Sequence, residues 1–302
     1  MIETFSQTIV NEDDSAVRLI ADDAELARYV YRPDTVQMES PKPYIHPLRT
    51  RAGRLASLFR PHDHVWHKGI SLALPNAGPH NFWGGPTYTR RAGWYEQLPN
   101  NGTQAHVERL DAPDGSYAHA LEWRAEGDES TVFTEVRRLT TTILDDDAWS
   151  LRWETSLRNV SGETIVMGSP TTEGRENAGY GGVFWRGPRS FSGGDIVTAN
   201  GIGDAEDLRG TRSAWMGLIG RHDGDNASST VIMADLDDTP KWFVRSNIFA
   251  CLGPAPFFDE EVPVEDGGEL SLRYDIIVAD GAADPDRAAA LVSAAREKGD
   301  AR

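Results

Sequence analysis

Apolar and polar residues alternate with a period of two along much of this chain. In Trp149-Ser150-Leu151-Arg152-Trp153-Glu154-Thr155-Ser156-Leu157-Arg158, the side chains of Trp149, Leu151, Trp153 and Leu157 fall on one face and polar groups on the other, as in a half-buried strand. Leu270-Ser271-Leu272-Arg273-Tyr274-Asp275-Ile276-Ile277-Val278 repeats the period. Further runs rich in β-branched and aromatic residues lie at about 17–20, 69–74, 103–110, 117–125, 131–144, 163–168, 213–220, 230–235 and 241–245, separated by Gly, Pro, Asn and Asp clusters. This spacing predicts an all-β protein, a large antiparallel β-sandwich. One helix is predicted, over about 284–298. Asp284 caps it, Pro285 takes its first position, Ala288, Leu291, Val292 and Ala295 form its apolar face, and Arg296 and Lys298 suit its C-terminal end. It either packs on the sandwich or frays as a tail.

No linker or internal repeat divides the chain, which reads as a single domain over 1–302, with N-terminal strands to about 40, a body from about 40 to 280 and the closing helix. The glycine-rich stretch 186–212 lacks apolar periodicity and is expected to be either a functional loop or a surface insertion.

Composition limits the function classes. A chain of 302 residues, 39% hydrophobic and 25% charged, can bury a substantial core. It contains no apolar run near the roughly 20 residues of a membrane span, and residues 1–5 lack the basic start of a secretory signal. A single cysteine, Cys251, excludes an internal disulfide framework and thiolate metal clusters, and a cytoplasmic location is expected. The net charge of -17 repels phosphate backbones and anionic membranes, so nucleic acid and membrane are not expected partners. A homodimer through a sheet face or edge is the usual option for such a sandwich.

The candidate chemistry is concentrated. Five of the eight histidines, His46, His62, His64, His67 and His80, lie within residues 46–80, among aromatics, arginine and glycine. Histidine transfers protons near neutral pH and ligates metals. His62 and His64 share a face only if the segment is extended, whereas His64 and His67 share one only on a helical turn or an irregular bend. With Glu173 as an added ligand, His62, His64 and His67 are candidates for a Zn, Mn or Fe site. The alternatives are metal-free acid/base work and plain hydrogen bonding in a loop. Pro47 biases His46 towards an extended backbone. Arg49 could hold a carboxylate or vicinal oxygens, or form a surface ion pair. His80, Asn81 and Trp83, beside Phe82, combine hydrogen-bonding groups with aromatic faces, a pairing suited to sugars, although either aromatic could equally be core. Glu173 follows the strand-like Ile165-Val166-Met167-Gly168 and is read as a base, a ligand or the partner of Arg175. Neither a nucleotide-binding glycine loop nor a Gly-x-Ser-x-Gly nucleophile turn is present.

Tyr44 to Arg49, the Pro-x-x-His-x-x-His-x-Gly pattern of Pro61, His64, His67 and Gly69, the Phe82-Trp83 pair, Glu173-Gly174-Arg175, Trp242-Phe243-Val244-Arg245 and Pro256-Phe257 together resemble the bacterial PmoA-like family, over roughly 40–280. Its name refers to a methane oxygenase, but a membrane-embedded oxygenase needs spanning helices that this sequence lacks. Val244-Arg245 through Pro256 and Gly267 to Tyr274 are similar, at the level of fold, to the closing strands of galactose mutarotase-like sugar epimerases. That resemblance implies a large antiparallel supersandwich and a histidine acid with a glutamate base. Where those enzymes place their glutamate, Ile248-Phe249-Ala250-Cys251-Leu252 is apolar, and Glu173 falls near their catalytic histidine, so ordinary mutarotation is not implied.

Three functions follow as expectations. The first is a sugar epimerase or lyase in which His64 or His67 and Glu173 exchange protons, His46, Arg49, His80, Asn81 and Trp83 position the ring, and Arg49, Arg175 or a metal steadies the oxyanion. The second is a non-catalytic sugar-binding or sensing domain. The third is a metal-dependent oxygenase or hydrolase built on His62, His64, His67 and Glu173.

Overall fold

Strands that alternate apolar and polar residues must each bury one face, and this chain does so by stacking two antiparallel sheets. The computed structural model describes residues 7–11 and 13–301, with side chains from residue 13 onward; residues 1–6, 12 and 302, including the N-terminal segment read for a signal and both ends of the predicted domain, lie outside the described residues. One sheet has eight strands in the spatial order 7–11, 16–21, 24–30, 44–48, 70–73, 182–186, 251–254 and 242–245. The other has nine, in the order 201–203, 195–198, 215–221, 228–235, 269–280, 148–159, 131–143, 116–124 and 103–110. A three-stranded sheet (262–264, 165–168, 76–77) and the hairpin Thr87–Thr89/Trp94–Glu96 complete the β-structure. The two most periodic segments are neighbours: Trp149 pairs with Val278, Trp153 with Tyr274 and Leu157 with Leu270.

The nine-stranded sheet is covered on both faces. Trp149, Leu151, Trp153 and Leu157 point inward and share one core with Tyr29, Ile45, Leu72, Trp185 and Leu252 of the other sheet. On the outer face, Ala148, Ile277 and Ala279 pack with Ala288, Leu291 and Ala295 of the helix Pro285–Asp300. Double coverage accounts for the unbroken Ile276-Ile277-Val278, whose successive side chains enter opposite apolar layers. The helix is thus docked along the sheet. Asp284 accepts the Arg287 N–H at 2.8 Å. Arg296 and Lys298 donate to carbonyls of the sheet, at Asp235 (3.1 Å) and Leu144 (2.6 Å), so the basic last turn fastens the helix to the strands.

The expectation for 186–212 is corrected. This stretch carries the turn Arg189–Phe191, the strand Asp195–Thr198, the edge strand Gly201–Gly203 and the short helix Ala205–Leu208. Its apolar residues are too sparse to show a period, yet Phe191, Ile196, Val197 and Ala205 are all buried.

Strand Thr131–Ile143 inverts the usual rule. Val136 is 48% exposed, while its neighbours Glu135 and Arg137 point between the sheets, at 2% and 0% exposure. The Glu135 carboxylate accepts four hydrogen bonds: Arg137 Nε (2.7 Å) and a second Arg137 nitrogen (2.8 Å), Trp123 Nε1 (2.7 Å) and Thr155 Oγ1 (2.9 Å). Arg137 also donates to Tyr29 Oη (3.1 Å) and Gln104 Oε1 (3.0 Å), and its guanidinium lies 4.7 Å from the centre of the Trp153 ring. Because Tyr29 belongs to the eight-stranded sheet, and Gln104 Nε2 donates to Leu72 O of that sheet at 2.8 Å, the ion pair joins the two layers. Tyr29 Oη continues to His119 Nε2 (2.9 Å), and His119 Nδ1 meets His106 Nδ1 (2.9 Å), a contact that requires one bare and one protonated nitrogen.

Breaking a buried pair strands the remaining charge. Arg137→Met is expected to lower unfolding stability in urea by about 3–5 kcal/mol, and adding Glu135→Leu to recover part of that loss; a double variant no more stable than the single would contradict the account. The histidines set the response to acid. Burial holds His46, His67, His80, His106, His119 and His222 below the ordinary imidazole range, His46 and His106 down to about 4. The unfolded chain takes up these protons near the ordinary imidazole value of 6.5 and the folded chain only at lower pH, about 4 for His46 and His106, so stability falls as pH drops below about 6.5. Urea midpoints should decline from pH 7 to 5, less steeply in His106→Gln; equal midpoints would refute this.

Candidate functional site

The period of two also furnishes the face turned away from the core. In Gly182–Arg186 and Trp242–Arg245, the side chains of Val183, Trp185, Trp242 and Val244 enter the core, which sends Phe184, Arg186, Phe243 and Arg245 to the outer face of the eight-stranded sheet. Loops roof this face and leave a cavity of about 400 Å³. Its aromatic lining is Trp66, Trp83, Tyr180, Phe184, Phe243 and Phe249. The polar groups are His64, His67, Tyr95, Arg175 and Arg245, with no carboxylate among the lining residues.

Two successive turns bring the histidines together. His64 N donates to Pro61 O (3.0 Å) and His67 N to His64 O (2.9 Å), so residues 64 and 67 fall on one side of an irregular bend with their rings stacked 4.8 Å apart. His64 Nδ1 bonds Asp63 Oδ2 at 2.9 Å, and its Nε2 has no hydrogen-bond partner among the described residues. Asp63 also accepts from Arg189 at 2.9 Å and lies 3.7 Å from Arg186. Burial opposes ionisation of Asp63, but the hydrogen bonds from His64 and Arg189 and the charge of Arg186 hold its carboxyl well below the usual range. His67 is buried against Trp83, Phe184 and Phe249, and its Nδ1 has no partner. Burial, reinforced by the positive charge of Arg186, keeps its ring neutral. The paired rings therefore differ: one is oriented by a carboxylate, the other is held uncharged.

The walls are braced from behind. Asn81 Oδ1 accepts the backbone N–H groups of Trp83 and Gly84, both at 2.9 Å, and its Nδ2 donates to Thr87 Oγ1 (2.9 Å). A Cβ on Gly85 would meet the Trp66 ring at 2.7 Å, and the positive φ of 69° there favours glycine, so Trp66 lies over a bare backbone. Buried Lys42 donates to Trp83 O at 2.8 Å. The Tyr180 ring packs against Trp83 at 4.5 Å, and Tyr95 Oη accepts from Arg175 and bonds Tyr180 Oη at 2.8 Å.

The residues singled out from sequence are only partly brought together. His64, His67, Trp83 and Arg175 line the cavity. His46 instead stacks on Phe59 and bonds Ser57 Oγ at 2.8 Å, and Arg49 donates to Gly53 O at 3.2 Å. His80 lies beside Phe82, Asn81 is the buried brace just described, and the buried Phe82 belongs to the core. Glu173 accepts the Arg90 N–H at 3.2 Å, holding the tip of the hairpin that carries Tyr95; it pairs neither with Arg175 nor with a histidine. His62 is exposed and accepts from Arg189 at 3.0 Å. His62, His64, His67 and Glu173 thus do not converge as a donor set, and among the described residues no three His, Cys, Asp or Glu side chains are grouped to hold a metal. Asp63, Tyr95, Tyr180, Arg245 and Phe249 were not anticipated. Asp63 had a visible signal, a carboxylate next to a candidate histidine; the others come from distant segments.

Fold and cleft define an antiparallel β-sandwich protein with an aromatic, histidine-bearing cavity on one outer sheet face. Residues 16–293 match the model of DUF6807, a family of unknown function, and the chain belongs to that family. That match carries no methane-oxygenase designation, and no helix of the described residues is long and apolar enough to cross a membrane. No protein of curated function matches the sequence. Among solved structures, the chain is similar to a GalM/aldose epimerase homologue from C. elegans at 8% identity, covering 92% of this chain and 99% of that one with a TM-score of 0.35. It is also similar to the alpha-galactosidase from Lactobacillus brevis (8% identity, 93% of this chain and 40% of that one, TM-score 0.39). A heparan sulfate lyase HepC mutant from Pedobacter heparinus gives 8% identity, 92% and 36% coverage and a TM-score of 0.34. The chain spans less than half the length of these last two proteins.

Removing the Asn81 brace leaves two backbone N–H groups without their acceptor. Asn81→Ala should cost about 1–3 kcal/mol in urea unfolding and alter the Trp83 fluorescence environment; an unchanged midpoint would show that Asn81 does not hold this wall.

Proposed function

We propose that the cavity binds a sugar and moves a proton on it, as a sugar epimerase or lyase does. The observation that carries this reading is the stacked His64–His67 pair, with Asp63 on His64 Nδ1, at the wall of an aromatic cavity. Flat aromatic faces match the C–H faces of a pyranose, while Arg175, Arg245, Tyr95 and the imidazoles supply hydrogen bonds for its rim. Asp63 favours the His64 tautomer with Nε2 bare, a base directed by its neighbour. Neutral His67 is suited to donate or accept one hydrogen bond without adding charge. Next to a carbonyl, His64 Nε2 takes the C–H proton and the bonding pair moves into the carbonyl to give an enediolate, which an arginine stabilises. Return of a proton to the other face inverts the carbon; departure of a β-oxygen, protonated as it leaves, gives elimination. Glu173 is assigned to hold the Arg90 turn.

The test is proton exchange at sugar carbons in D₂O, followed by NMR over aldoses, keto sugars and uronates. His64→Ala is expected to slow exchange about 10²–10⁴-fold and Asp63→Asn to slow it less. Exchange that persists in the His64→Ala/His67→Ala double variant would refute the assignment. Ligands that raise the melting temperature while no carbon exchanges would establish a sugar-binding protein without catalysis.

A further inference from the structure

Arg186, Cys251 and Arg245 form a row across three adjacent strands on the outer sheet face. Arg186 pairs in register with Cys251, and Cys251 with Arg245, so the two arginines flank one small side chain. Burial keeps the Cys251 thiol protonated, pushed up to about 12 despite both arginines, so it supplies no counter-charge. Arg186 is 0% exposed, and Nε and both terminal nitrogens are buried without a hydrogen-bond partner. The carboxylate beside it, Asp63 at 3.7 Å, is already hydrogen-bonded by His64 and Arg189. The Phe249 ring covers Arg186, with the guanidinium carbon 3.7 Å from the ring centre, and the same ring lines the cavity. Arg245 opens into the cavity and packs on Phe243, and Glu206, whose charge reaches it, is hydrogen-bonded by Arg209 at 2.8 Å. Arg175 is the second arginine of the lining, and its hydrogen bond among the described residues goes to the Tyr95 phenol.

A protein of net charge -17 therefore gathers arginines, and no lining carboxylate, around one cavity. Cations held this way are stabilised by an anion supplied from outside. We infer that the sugar carries a carboxylate, as a uronic acid does, held by Arg245 and Arg175 over the Arg186–Cys251–Arg245 row. This rests on the sugar reading above and narrows it. It also completes the chemistry: arginines that neutralise the carboxylate make the adjacent C–H proton removable by His64, the bonding pair passing into the carboxylate carbon–oxygen system.

The test compares glucuronate and galacturonate with glucose, galactose, glucose 6-phosphate, acetate and inorganic phosphate by calorimetry. Uronates should bind about tenfold or more tightly than the neutral sugars, weaken as NaCl rises, and lose their advantage in Arg245→Met while keeping most of it in Arg245→Lys. Neutral sugars binding as tightly as uronates would overturn the inference and leave the sugar site standing. So would tighter binding of the sugar phosphate, or acetate or phosphate alone matching the uronates. If Arg245→Met does not fold, salt dependence on the unaltered protein decides, and a uronate affinity indifferent to NaCl refutes the claim. Failure of every sugar to bind would remove both readings.

Discussion

The buried Glu135–Arg137 pair is the constraint around which the sandwich is organised. Two charges between apolar sheets are tolerable only with their hydrogen-bonding capacity filled, and the groups that fill it come from both layers: Trp123, Thr155 and Gln104 from one, Tyr29 from the other. A slip of either sheet by one residue would send these side chains to the wrong face. The pair thus specifies how the sheets face each other, a precision that Leu151 and Leu157, packing without direction, do not impose.

With the inner faces committed, the outer face of the eight-stranded sheet is left for chemistry. The same alternation that drives Trp185 and Val244 inward presents Arg186 and Arg245 outward, and loops supply the roof. The site is accordingly built on rigid strands at its floor and on braced turns at its walls, with Asn81, Lys42 and Glu173 acting as supports. Its polarity is unusual for this molecule: cationic and aromatic, within an acidic chain.

How much of this was legible depended on whether a signal was local. The strands around Trp149 and Leu272 and the helix from Pro285 to Asp300 were readable because periodicity, capping and proline placement act within a few residues. Glu135 and Arg137 were not, since polar residues flanking Val136 read as a solvated face; only their partners from other strands reverse the assignment. In the site, the His64–His67 spacing was visible, but its bend came from the turns beginning at Pro61 and His64. Glu173 drew attention as a carboxylate beside glycine, yet Arg175, two residues on, is the one that reaches the cavity. Ile248 to Leu252, noted for lacking a glutamate, contributes Phe249 as the cover over Arg186.

The amino-acid order therefore settled the β-class, the closing helix and the histidine neighbourhood, because each follows from spacing along a continuous segment. Which strands adjoin, which polar side chains turn inward, and which of the candidates meet in one cavity were settled by packing. Those outcomes rest on contacts between residues separated by tens to hundreds of positions, where burial and hydrogen-bond satisfaction outweigh local preference.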